Sequence, residues 1–135
     1  MRWHARTLHS LVTSPLIQGL EQKAQALADA DCFCLPSESE NFGTAALEAA
    51  GVGLPVVLSD RCGGAELLGP QASIVFDYGD IGGLAQALRK VLGDGSAGAA
   101  ARAAAPGLRE SLDWATLAAD QERIYDSVLQ GSTVG

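Results

Sequence analysis

The chain reads as an α/β protein, a parallel sheet covered by helices on both faces, and three observations predict it. Short apolar runs of strand length recur near residues 32–35, 55–58 and 73–76. Segments with apolar residues at helical spacing lie between and after them. Strands alternating in this way with helices argue for a parallel sheet between two helical layers. The 135 residues, 47% hydrophobic and 19% charged, are enough for one globular domain with a real core.

Each element has its own signal. Leu11–Ile17 reads as a short strand weakened by Pro15. Residues 20–30, LEQKAQALADA, hold strong helix formers. Cys32–Leu35 is a buried strand stopped by Pro36, and the polar SESEN run after it is a loop. A helix follows over residues 43–51, ended by Gly53 and Pro55 before the strand at 55–58. Asp60 to Gly64 is a loop, Ala65 to Leu68 a helical turn, and 73–76 the third strand. Asp80 is placed to cap a helix over 81–92, whose Leu84, Leu88, Val91 and Leu92 form one stripe. The run GDGSAGAAARAAAPG reads as low-complexity, with Pro106 breaking any long helix. Ser111 or Asp113 then starts a last amphipathic helix over 113–129 through Trp114, Leu117, Ile124, Tyr125 and Val128.

Charge and cysteine content exclude several function classes. Nine basic against 16 acidic residues give a net charge of −7, against nucleic acid as a partner. No Lys or Arg occurs between Lys23 and Arg61. An anionic ligand held there would rely on backbone N–H groups and a helix start. Cys32, Cys34 and Cys62 match neither a disulfide framework nor a metal pattern and read as buried free thiols, which points to a cytoplasmic protein. His4 and His9 have no carboxylate or thiol at ligand spacing, so no metal site is expected. Arg2 and Arg6 are followed by no apolar run of signal-peptide length, and no run reaches transmembrane length.

The informative stretch runs from Pro36 to Asp60. Glu40 sits in a loop just after a strand, and Gly43 allows close backbone approach beside a helix start. The first N–H groups of a helix are unpaired and partly positive, a seat for an anion. Glu48 lies four residues after Thr44, on the same helix face. Phosphates at the helix start, with hydroxyls meeting Glu40 and Glu48 on either side, describe a nucleotide sugar.

The same stretch resembles the retaining GT-B glycosyltransferases of the glycosyl transferases group 1 type. Their pattern is a strand ending near Pro-Ser, a Glu-x-Phe-Gly loop, a second Glu eight positions after the first, then Gly-x-Pro-Val-Val. Glu40, Phe42, Gly43, Glu48, Gly53, Pro55, Val56 and Val57 match it, eight positions within eighteen residues. Ala30-Asp31, Ser59-Asp60, Gly79-Asp80 and Trp114 agree with flanking features of that family. The resemblance implies a Rossmann-like, incomplete C-terminal domain of a GT-B fold over residues 13–130. Residues 1–12 match nothing, and 131–135 form a tail. It implies that Glu40, the catalytic position, and the backbone of Asn41, Phe42 and Gly43 hold the donor sugar. The resemblance further implies that the N–H groups at Gly43 and Thr44 face the diphosphate and that Glu48 binds the ribose hydroxyls. The implied donor is a UDP-, GDP- or ADP-linked sugar whose hexose is transferred with retention of configuration, without cofactor or metal.

Departures from the family pattern shape the expected partners. The chain has no room for the N-terminal acceptor domain, nor for the strands carrying the Gly-rich turn and the Arg/Lys pair that grips the diphosphate. The missing domain is therefore expected in cis or in trans, and the isolated chain is expected to be inactive. An exposed sheet edge would favour self-association. The alternative function is a non-catalytic nucleotide-binding or subunit-association module from a truncated or split gene; a third is an unrelated sheet enzyme with a chance likeness. Blander readings apply to single residues: Glu38 as a solvated loop position, Asn41 as a helix cap, Phe42 as a core anchor, and Gly63-Gly64 as a simple turn.

Overall fold

A computed structural model of the protein describes residues 19–129. The expected strand at Leu11–Ile17, both histidines and the tail at 131–135 lie outside the described residues. The described order is α1 (Leu20–Asp29), β1 (Phe33–Leu35), α2 (Thr44–Gly51), β2 (Val56–Ser59), α3 (Ala65–Ala72), β3 (Ser73–Phe76), α4 (Ile81–Leu92), α5 (Ser96–Ser111) and α6 (Trp114–Leu129). The three strands form one sheet in the order β1-β2-β3, all parallel, with Phe33 opposite Val56 and Val56 opposite Ser73.

β2 is buried along its whole length, and its side chains alternate between two cores. Val56 and Leu58 face a cluster with Ala46, Leu47 and Ala50 of α2 and Leu68 and Ala72 of α3. Val57 faces the opposite cluster, with Phe76 of β3 and Ala87 and Val91 of α4. Both faces of the sheet therefore carry helices, as the alternating pattern predicts. Asp80 caps α4 as expected, its carboxylate accepting from the Gly83 N–H at 3.0 Å.

α2 packs by backbone proximity rather than by bulk. Ala46, Ala49 and Ala50 are fully buried. The helix ends in a 6→1 and 5→2 pair of bonds, Leu54 N to Ala49 O at 3.0 Å and Gly53 N to Ala50 O at 2.9 Å. Gly53 takes φ +88 there, and a Cβ on it would lie 2.9 Å from Arg102 Cγ and 3.2 Å from Arg102 Cα of α5. Arg109 of α5 donates from Nη1 to the Gly51 carbonyl, satisfying an acceptor at the same helix end. α3 is two short pieces joined at Gly69 (φ 67, ψ 170), so the helical turn expected at Ala65–Leu68 ends where glycine stands.

α5 corrects the expectation of a low-complexity segment broken at Pro106. One 16-residue helix runs from Ser96 to Ser111 with Pro106 inside it. An interior proline costs roughly 3 kcal/mol, and this helix offsets that locally with alanine and globally with burial. Ala101 and Ala105 are buried at 0% and 3% exposure, and Leu108 and Leu112 pack on the first core. Pro106 itself is exposed.

α6 starts where expected, with Asp113 Oδ2 accepting from Ala115 N at 3.0 Å. Its apolar residues are less covered than an amphipathic pattern implies. Trp114 is 85% exposed, and Leu117, Ile124 and Tyr125 are exposed as well. The Val128 side chain lies outside the description.

Candidate functional site

Parallel pairing brings the ends of β1 and β2 to one side of the sheet, so the loops that follow them meet. They continue the pairing beyond the strands through an isolated parallel bridge between Glu40 and Cys62. Glu40 N donates to Arg61 O at 3.2 Å, and Gly63 N donates to Glu40 O at 3.0 Å. Below this bridge the hydroxyl of Ser59, fully buried, donates to Ser37 O at 2.5 Å. Beside it Asp60 Oδ1 accepts from Tyr78 N at 2.8 Å, tying the end of β2 to the turn after β3.

The Glu40 carboxylate turns back toward α2. Its Oε1 accepts from Gly43 N at 3.1 Å. Gly43 stands at the N-cap position with φ 67 and has no side chain of its own with which to cap α2. A Cβ on Gly43 would lie 2.7 Å from the Sγ of buried Cys62, so the position requires glycine for its angle and for its space. Thr44, the first residue of α2, is exposed.

Glu48 lies one turn further along α2 and is half-buried. Both of its carboxylate oxygens accept from Lys23 Nζ of α1, each at 2.9 Å. The two side chains are each 40% exposed, so the pair is worth only about 0.2–1 kcal/mol to stability. Lys23 did not stand out in the sequence. The one signal for it was its place as the last cation before the cation-free stretch ending at Arg61.

Two single-residue expectations are corrected here. Phe42 is no core anchor: its ring is 53% exposed, and main-chain bonds hold the loop instead. Asn41 does not cap α2, because Gly43 occupies the cap position. Glu38 is exposed, as a solvated loop residue should be. Cys32 and Cys34 pack against the second core as half-buried free thiols. Burial first, then the neighbouring Cys34 and Asp31, push the Cys32 thiol up to about 11, and burial raises Cys34. Both stay protonated near neutrality and are poor nucleophiles. No group of three or more metal-ligating side chains occurs among the described residues.

The family model for glycosyl transferases group 1 matches residues 12–107. The chain belongs to this family. The glycogen synthase of Mycobacterium tuberculosis (strain ATCC 25618 / H37Rv) is 39% identical to it over 104 residues, 76% of this chain and 25% of that protein. Sulfoquinovosyl transferase SQD2 of Arabidopsis thaliana is 36% identical over 103 residues, 73% of this chain and 20% of that protein. The 2-deoxystreptamine N-acetyl-D-glucosaminyltransferase of Niallia circulans is 36% identical over 67 residues, 49% of this chain and 17% of that protein. The chain thus spans about a quarter or less of the length of these relatives. No solved structure matches it. The three-stranded parallel sheet with helices on both faces is that of a Rossmann-like GT-B half-domain. Among the described residues no helix is long and apolar enough to cross a membrane.

Proposed function

We propose that this group 1 glycosyltransferase domain is the donor-binding portion of an enzyme that transfers a hexose from a UDP-, GDP- or ADP-linked sugar with retention of configuration. The acceptor domain is supplied in cis or in trans. The observation that carries this reading is the start of α2, where the N-cap glycine brings no side chain of its own and Glu40 and Glu48 flank the helix at the spacing of the family motif. The partial positive charge of this helix start, beyond the Gly43 N–H that Glu40 already occupies, suits a diphosphate.

In this reading the diphosphate lies over Gly43 and Thr44, where the helix dipole supports the charge that grows as the anomeric C–O bond breaks. Glu48 accepts from the ribose hydroxyls. Its carboxylate has lone pairs to spare beside the three Lys23 protons, so the ion pair orients it rather than fills it. Glu40 meets the sugar, together with the backbone of Asn41 and Phe42. The protein's contribution is then positioning and electrostatic support, with no protein nucleophile. The edge of β1 not taken by β2 is where the rest of the sheet, or a second copy of the chain, would add a strand.

NMR titration of the 135-residue chain with UDP, GDP and ADP, and with their hexose conjugates, tests this. A hydrogen bond to a charged group is worth about 1.5–3 kcal/mol, so Glu48→Ala should weaken binding of the preferred nucleotide about tenfold or more. Glu40→Ala should remove only the extra affinity that the sugar confers. Equal loss of free-nucleotide affinity from both substitutions would overturn the assignment of roles. Nucleotide binding without turnover, even with an acceptor domain added, would favour the non-catalytic module.

A further inference from the structure

The Gly63-Gly64 pair is more than a turn. Gly64 has φ −68 and Gly63 is not among the glycines with positive φ, so neither needs glycine for its backbone angles. What they need is space. A Cβ on Gly63 would lie 2.3 Å from Asn41 O, and one on Gly64 would lie 2.2 Å from Phe42 O. Contacts under 3 Å to backbone cannot be relieved by turning a side chain. The atoms pressed upon belong to the two residues between Glu40 and Gly43. The adjoining Cys62 fills the volume next to Gly43 with its sulfur, and Gly63 N holds Glu40 O at 3.0 Å.

We propose that Cys62-Gly63-Gly64 is a positioning element for Glu40, a side-chain-poor shelf that fixes the 40–43 turn so that the carboxylate is presented to the donor sugar. The inference rests on the donor-site reading above and deepens it. An added methyl at Gly63 pushes on the Asn41 carbonyl and shifts the turn, while Gly63 itself is exposed and stands outside the core that Cys62 shares with Ala46, Ala49 and Ala50 of α2. The added group need not be buried in that core. The effect should therefore fall on the Glu40 end of the site and spare the Glu48 end.

The test uses Gly63→Ala and Gly64→Ala in the full chain, with Gly107→Ala of α5 as a control, since a Cβ there meets nothing within 4 Å. Two readouts separate this inference from the donor reading. The first needs no ligand. In the native background Glu40→Ala should move the Gly43 amide signal, because that N–H donates to the carboxylate. In the Gly63→Ala background the same substitution should leave the signal in place, and in the Gly107→Ala background it should move it as before. The second is binding. Gly63→Ala should weaken the nucleotide sugar about tenfold, the size of one lost charged hydrogen bond, and weaken the free nucleotide, whose diphosphate shares only the Gly43 end of the turn, by clearly less. If the native chain binds no nucleotide, the donor reading fails, and the amide signal alone decides the positioning role. A folded Gly63→Ala chain in which Glu40→Ala still moves the Gly43 signal fully would overturn the proposal. So would global unfolding by both glycine substitutions, which would make the pair a requirement of the whole fold.

Discussion

α2 and α6 are both helices of one domain, yet their surroundings differ sharply. α2 is eight residues long and buries three alanines completely, against β2 on one side and α5 on the other. α6 is sixteen residues long and leaves Trp114, Leu117, Ile124 and Tyr125 exposed. Helix length and side-chain size thus say little about which element is structurally committed. The short alanine helix is fixed from several directions, and fixing it also fixes the loop at its start.

The largest contrast should appear on changing side-chain volume. Ala49→Leu inserts three carbons where nothing is exposed and should cost about 3 kcal/mol in urea denaturation. Trp114→Ala, despite removing the largest side chain, should change stability by no more than about 0.5 kcal/mol. Equal losses would break the comparison, because they would show α6 packed against a surface that this fold leaves uncovered. A smaller effect is expected at the other end of α2. Gly53→Ala forces a side chain to φ +88 and against Arg102, and should cost roughly 2 kcal/mol. Arg102→Ala in the same chain should recover part of that loss by removing Cγ, the nearer of the two contacts. The smallest effect concerns the tie between α1 and α2. Lys23→Met should cost about 0.2–1 kcal/mol in dilute buffer and close to nothing at high salt. An undiminished cost in salt would mean that the lysine stem, rather than its charge, joins the helices.

The strands and most helix bounds were legible because their signals are local. β1, β2 and β3 are apolar runs between breakers, and Asp80 announces α4 by its cap. α5 was hidden by its own composition. Its covered stripe, buried Ala101 and Ala105 with half-buried Ala97, Leu108 and the C-cap Leu112, keeps helical spacing, but alanine marks it too faintly against a proline that normally ends a helix. Glu40, Gly43 and Glu48 of the candidate site stand out by their spacing and by the family they resemble. The partners of these residues do not. Lys23 reaches Glu48 from 25 positions away, and the 61–63 segment reaches Glu40 through main-chain atoms that every residue carries. Phe42 misled for a related reason, since a large apolar residue in a loop suggests an anchor where the backbone serves as one.

The bridge between Glu40 and Cys62 also has a temporal side. Both main-chain bonds of Glu40 go to the 61–63 segment, and the Ser59 hydroxyl grips Ser37 across 22 positions. Closing a loop of that size carries an entropy cost that local helix formation does not. The main-chain bonds that hold the motif turn therefore close only once residues 61–63 have arrived. A growing chain that has emerged from the ribosome only as far as α2 holds Glu40, Gly43 and Glu48 in sequence but not in place.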